Sequence, residues 1–140
     1  MVIFAGTNDW GHNTPLGTIA DTTDVSFCGA LSVVINGVIG ANPDVRLVLI
    51  TPLHRWGYTS GVYPNDTDSN AQGLALSDYV DAIKDVAEIY GVPVIDLFST
   101  SGLTPRIPAI KTAYVTDGLH PNAAGHVLLA QRIAPQLETL

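Results

Sequence analysis

Two short polar motifs stand near opposite ends of this 140-residue sequence, Gly6-Thr7-Asn8-Asp9 and Asp117-Gly118-Leu119-His120. The first follows an apolar run. It combines a glycine N–H, able to approach a carbonyl oxygen closely, with the Asn8 amide as a second donor. Two such donors suit an oxyanion. The second motif places a carboxylate three residues before an imidazole. Asp117 can accept from Nδ1–H of His120, fix the tautomer and leave Nε2 as a general base. A base and an oxyanion hole together imply acyl transfer, which also needs a nucleophile. Each motif has a plainer reading: Asn, Asp and Gly close turns, and Asp and Pro commonly stand where helices begin.

Other candidates carry less chemistry. His54, Trp56 and Tyr58 cluster in one stretch, with Arg55 and Tyr63 nearby and Arg106 and Tyr114 in another, a content that suits a polar substrate flanked by aromatics. Solvated loops with aromatic plugs would read the same way. His12 and His54 could line a site or simply sit in loops. Asp117, His120 and His126 lack an evident fourth ligand for a metal. Asn65-Asp66-Thr67 lacks the twelve-residue pattern of a calcium loop, and its match to a glycosylation acceptor is a frequent coincidence. Neither a metal nor a cofactor is expected. Cys28 is the single cysteine, so an intrachain disulfide is excluded, and its neighbours Phe27, Gly29, Ala30 and Leu31 mark it as a packing residue.

The elements that must position these residues read as alternating strands and helices. Val2–Ala5, Arg46–Thr51 and Val92–Asp96 are continuous apolar runs, the pattern of parallel strands covered on both faces. Leu76, Tyr79, Val80, Ile83, Val86, Ala87 and Tyr90 recur at helical spacing, with Gly91 as a stop. Phe27–Ile39 is ambiguous, because Val33-Val34-Ile35 and Asn36-Gly37 suit a hairpin. A crossover between parallel strands needs a helix there, and helix is the expectation. His120-Pro121-Asn122 is expected to open a last helix with Pro121 in its first turn, and Pro135 to kink or end it. Strand, helix, strand, helix, strand, helix makes a single α/β domain over residues 1–140, a three-layer α/β/α sandwich with a parallel sheet. The long loops Pro52–Gln72 and Leu97–Val115 both follow strands, so they fall at the carboxyl edge where such sheets bind ligands.

Composition narrows the partners. With 46% hydrophobic residues the chain can bury a core, and a formal charge of −7 with six Lys and Arg disfavours nucleic acid and anionic membranes. The run Met1–Ala5 is too short and lacks the basic flank of a signal peptide, and no segment approaches the apolar length of a membrane span. A soluble chain is expected, with its compartment open and secretion among the options.

At Gly6-Thr7-Asn8-Asp9 and Asp117-Gly118-Leu119-His120-Pro121-Asn122 the chain resembles the SGNH/GDSL hydrolase family, matching its third (Gly-x-Asn-Asp) and fifth (Asp-x-x-His) blocks; Ile50-Thr51-Pro52 is similar to its fourth strand and turn. The resemblance covers essentially the whole chain. It implies a flavodoxin-like fold and a metal-free serine esterase or lipase-like enzyme. It also implies Gly6 and Asn8 as oxyanion donors, Asp117 as orienting acid and His120 as base. The family's Gly-Asp-Ser block and a second oxyanion glycine precede the third block, which here begins at residue 6. None of the seven serines follows an apolar strand as Gly-Asp-Ser. The expectation is an N-terminally truncated domain, its C-terminal two-thirds, inactive or nearly so without the missing serine block. In the implied strand order, 2-1-3-4-5, the strand at Val2–Phe4 loses a neighbour. That exposed edge is expected to be completed by a second copy or a partner segment.

The expected substrate is a small acyl ester, with carbohydrate-linked acetyl esters preferred because no long apolar lid segment suits a lipase. A catalytically inactive α/β domain for glycan binding or assembly is the competing reading. A nucleotide or receiver domain is weaker, since no glycine-rich phosphate loop follows any strand.

Overall fold

The computed structural model describes Met1–Leu140 in full. The apolar runs become short strands, β1 (Val2–Phe4), β2 (Val48–Ile50) and β3 (Val94–Ile95). They pair in parallel in the order β1-β2-β3, with Val2 opposite Val48 and Leu49 opposite Val94. Between and after them lie helices α1 (Thr7–Gly11), α2 (Phe27–Ala41), α3 (Leu76–Tyr90), α4 (Leu97–Thr100), α5 (Pro108–Tyr114) and α6 (Ala123–Glu138).

Strand alternation divides β2 between two cores. Leu47 and Leu49 join Trp10 of α1, Phe27, Leu31 and Ile35 of α2, and Tyr79, Ile83 and Val86 of α3. Val48 and Ile50 face the other way, onto Ile95, Leu97, Leu103, Val115 and Leu129, with Ile110 of α5 and Ile133 of α6 packed alongside. This is the expected three-layer α/β/α sandwich with a parallel sheet. The crossover argument for Phe27–Ile39 holds: Ser26 caps α2, its hydroxyl accepting from Gly29 N at 3.2 Å. Asn36 is drawn into that helix because its amide donates to Ser32 O and to the Tyr90 hydroxyl, each at 2.8 Å.

Three expectations need correction. Leu97–Val115 is not one long loop. Asp96 caps α4 by accepting from Ser99 N, and Pro108 pre-sets the first turn of α5. Pro121 lies outside α6, whose cap is Asn122, accepting from Gly125 N at 3.0 Å. Of the two outcomes expected at Pro135, a kink or an end, the end does not occur: the helix runs on to Glu138.

The first strand is covered unevenly. Ile3 packs on the α2/α3 side. Val2 and Phe4, which point to the α6 side, remain 46% and 49% exposed. The edge of β1 away from β2 carries no strand.

Candidate active site

The Asp117–His120 pair is built by a local turn locked from outside. Asp117 Oδ1 accepts from Leu119 N at 2.8 Å and His120 N at 2.7 Å, while Oδ2 lies 2.7 Å from His120 Nδ1. One carboxylate thus shapes the backbone and orients the ring. Gly118, at φ +87°, allows the turn, and a Cβ there would lie 2.3 Å from Trp56 O. Its carbonyl accepts from Trp56 N at 2.9 Å. Lys111 Nζ then clamps Trp56 O and Gly57 O at 3.2 and 3.1 Å. Burial alone would raise the Asp117 carboxyl; hydrogen bonds from the His120 side chain and the two amides outweigh it and hold the group below the ordinary carboxylate range. The pair is open to solvent, with side chains 66% (His120) and 44% (Asp117) exposed.

The other half begins where β1 ends. Gly6 is buried at φ +113°, and a Cβ would press on Pro52 at 3.1 Å and Ile83 at 3.3 Å, so only glycine suits this position. Its carbonyl accepts from Trp10 N and starts α1. Fully buried Trp10 anchors that short helix by donating from Nε1 to Leu74 O at 2.9 Å, and Asn70 Nδ2 donates to Trp10 O at 3.1 Å. Asn8 is thereby held at the sheet's carboxyl edge.

Asn8 and His120 line one groove of about 510 Å³, whose floor and wall include Phe4, Leu119, Leu129 and Ile133. Gly6 is not among the lining residues; Thr7 is. None of the seven serines lines the groove either. Ser99 opens on a separate cavity of about 370 Å³. Ser101 is fully buried.

Of the three aromatic and imidazole candidates, Tyr58 reaches His120, its ring meeting the imidazole edge-on at 5.6 Å. His54 belongs to the second cavity and pairs through Nδ1 with Asp66 Oδ2 at 2.7 Å. Trp56 packs under the Arg106 guanidinium, 4.4 Å from ring to carbon. Asp66, whose side chain is 1% exposed, also accepts from Arg106 at 2.6 Å and Arg55 N at 3.1 Å. Burial pushes its carboxyl up, and these donors, His54 first, pull it below the ordinary range. Sequence reasoning missed this carboxylate because its partners lie twelve and forty residues away. His12 is exposed at the end of α1. No group of three or more His, Cys, Asp or Glu side chains is arranged to hold a metal ion.

The profile of the GDSL-like Lipase/Acylhydrolase family matches residues 1–128. One solved crystal structure is 37% identical over 99% of this chain and 64% of its own, with a TM-score of 0.95. A protein from Lactobacillus plantarum is 33% identical over 99% of this chain and 65% of its own, with a TM-score of 0.85. The chain therefore spans just under two thirds of either structure. An acetylxylan esterase from Geobacillus stearothermophilus shares the fold at 23% identity and a TM-score of 0.58, over 94% of this chain and 56% of its own. Among curated proteins, the fluoride-specific ion channel FluC of Hydrogenobaculum sp. (strain Y04AAS1) is 36% identical over 84 residues, 59% of this chain and 64% of that protein. No helix of the present chain is long and apolar enough to cross a membrane.

Proposed function

Because this chain belongs to the GDSL-like lipase/acylhydrolase family, we propose that it carries the base-and-oxyanion half of an acyl-ester hydrolase site, the attacking serine being supplied by residues outside Met1–Leu140. The observation that supports this most is the 2.7 Å contact between His120 Nδ1 and Asp117, with Asn8 lining the same groove. Both groups stand at the carboxyl edge of a parallel sheet, where this architecture binds ligands.

In the proposed reaction the serine Oγ attacks the ester carbonyl and gives its proton to Nε2 of His120. Asp117 holds Nδ1–H and stabilises the imidazolium. The oxyanion accepts from the Asn8 amide, a donor of a kind worth about 2.7–4 kcal/mol in a transition state; Gly6, which does not line the groove, is left out of this step. The alkoxide leaves with the proton from His120. Water then gives a proton to His120 and attacks the acyl-serine, releasing a carboxylate and restoring the serine. The fold shared with an acetylxylan esterase supports a carbohydrate-linked acetyl ester as substrate.

The serine-free groove favours one other reading, an inactive domain that binds glycans. Hydrolysis of p-nitrophenyl acetate separates the two, comparing this chain with a version extended N-terminally by a serine-bearing segment. The expected result is turnover in the extended form only, lost in His120→Ala. An inactive extended form that still binds acetylated sugar would overturn the hydrolase reading in favour of the binding domain.

A further inference from the structure

Arg55 is 5% exposed, yet its guanidinium has no acceptor in the chain: Nε is buried without a hydrogen-bond partner, and no carboxylate forms an ion pair with it. Instead it lies over two aromatic rings, 5.1 Å from the Trp10 centroid and 4.8 Å from the Tyr58 centroid. The two rings stabilise the charge, but they offer no oxygen acceptor to the N–H groups, which radiate in the guanidinium plane. The nearby acids are already engaged. Asp66 takes His54, Arg106 and the Arg55 amide, and Asp68 takes the Asn65 amide at 2.7 Å.

The end of the guanidinium abuts two positions without side chains. A Cβ on Gly61 would lie 2.3 Å from Nη2, and one on Gly11 would lie 3.7 Å from Nη1; both glycines are half-exposed. What suits an in-plane fork of unpaired donors is a planar carboxylate, bound by two parallel hydrogen bonds. The same Tyr58 ring that faces Arg55 meets His120 edge-on. An anion held by Arg55 therefore sits one aromatic ring away from the base.

We propose that Arg55 is a carboxylate-binding site that anchors an acidic group of the small molecule bound beside His120. This deepens the ester-hydrolase reading and rests on it only for which molecule carries the carboxylate. The chain has four arginines, so the Nε–Hε resonance of Arg55 is readily assigned in the intact protein. Titration with sodium acetate, matched against sodium chloride at equal ionic strength and against neutral acetamide, should shift that resonance saturably with acetate alone. Arg55→Met should abolish the acetate-dependent shift of the Trp10 indole. Arg55→Lys, which keeps the charge beside the rings but lacks the fork, should weaken binding tenfold or more. If the Met variant does not fold, the wild-type titration and the Lys variant decide the matter.

Equal responses to acetate and chloride, no response, or an unchanged affinity in Arg55→Lys would each overturn the proposal. So would a shift that appears on concentrating the protein without acetate, since it would assign the acceptor to a second copy. None of these readouts depends on hydrolysis, so failure of the ester reading leaves a distinct signature.

Discussion

Gly118 is the residue on which the imidazole depends most. Its positive φ turns the chain so that Asp117 can bind both the backbone and the ring of His120, and its missing side chain lets the Trp56 carbonyl close against it. Gly118→Ala combines backbone strain with a Cβ overlapping backbone, and is expected to cost about 2 kcal/mol or more. A urea titration measures that loss. The downfield Nδ1–H proton of His120 should broaden or vanish in the same variant, whereas its retention at wild-type position would show that the turn does not orient the ring. Acid acts on the same pair from the other side. Asp117 is held below the ordinary carboxylate range, so its bond to His120 persists through mild acid and is lost as pH falls through that lowered value.

At the scale of elements, one carboxylate joins four of them. Asp96 follows β3, caps α4, pairs with Lys84 of α3 at 2.7 Å, and accepts from Thr51 after β2 at 3.0 Å. Burial works against its charge, but the hydrogen bonds from Lys84, Ser99 and Thr51 prevail and draw the carboxyl from 3.8 down to about 2. A depressed carboxylate contributes stability that is complete above its unfolded value and disappears as pH falls through the folded one. Here that contribution is about 2 kcal/mol, lost between about pH 4 and pH 2. Asp96→Ala should therefore lower stability at neutral pH by a similar amount and flatten the acid limb of a urea-midpoint profile. An acid limb as steep as the wild type would place the sensitivity elsewhere.

The same scale explains what the amino-acid pattern revealed. Continuous apolar runs announced the strands, and the long 3.6-residue periodicity of Leu76–Tyr90 announced α3 with both ends correct. Helices α1, α4 and α5 are too short for periodicity to register, and depend on caps and tertiary anchors such as Asp96 and Trp10. The Asp117–His120 contact was legible because its partners are three residues apart. Arg55 against Trp10 and Tyr58, and Asp66 with Arg106, were not, since those contacts exist only once distant loops meet at the sheet edge.

For the whole molecule the decisive asymmetry is β1. Its outer edge is unpaired and two of its three side chains are half-exposed beside the groove that holds His120. Unprotected parallel edges recruit further strands. Sedimentation velocity is expected to show larger species as concentration rises, and Phe4→Lys, which places a charge on the uncovered face, to keep the chain monomeric. A wild-type monomer across the whole range would remove the case for a second copy or partner segment on this edge.

The groove's polar residues also come from opposite ends of the chain, Thr7 and Asn8 just after the first strand, His120 and His126 before and within the last helix. At the ribosome, where chains grow at about 5–20 residues per second, β1 emerges before β2 and must wait to pair with it. Asn8 waits longer still for His120. A product cut short before Asp117 would keep Asn8 and lack the Asp117–His120 pair, so the two sides of the groove come together only after most of this segment has been made.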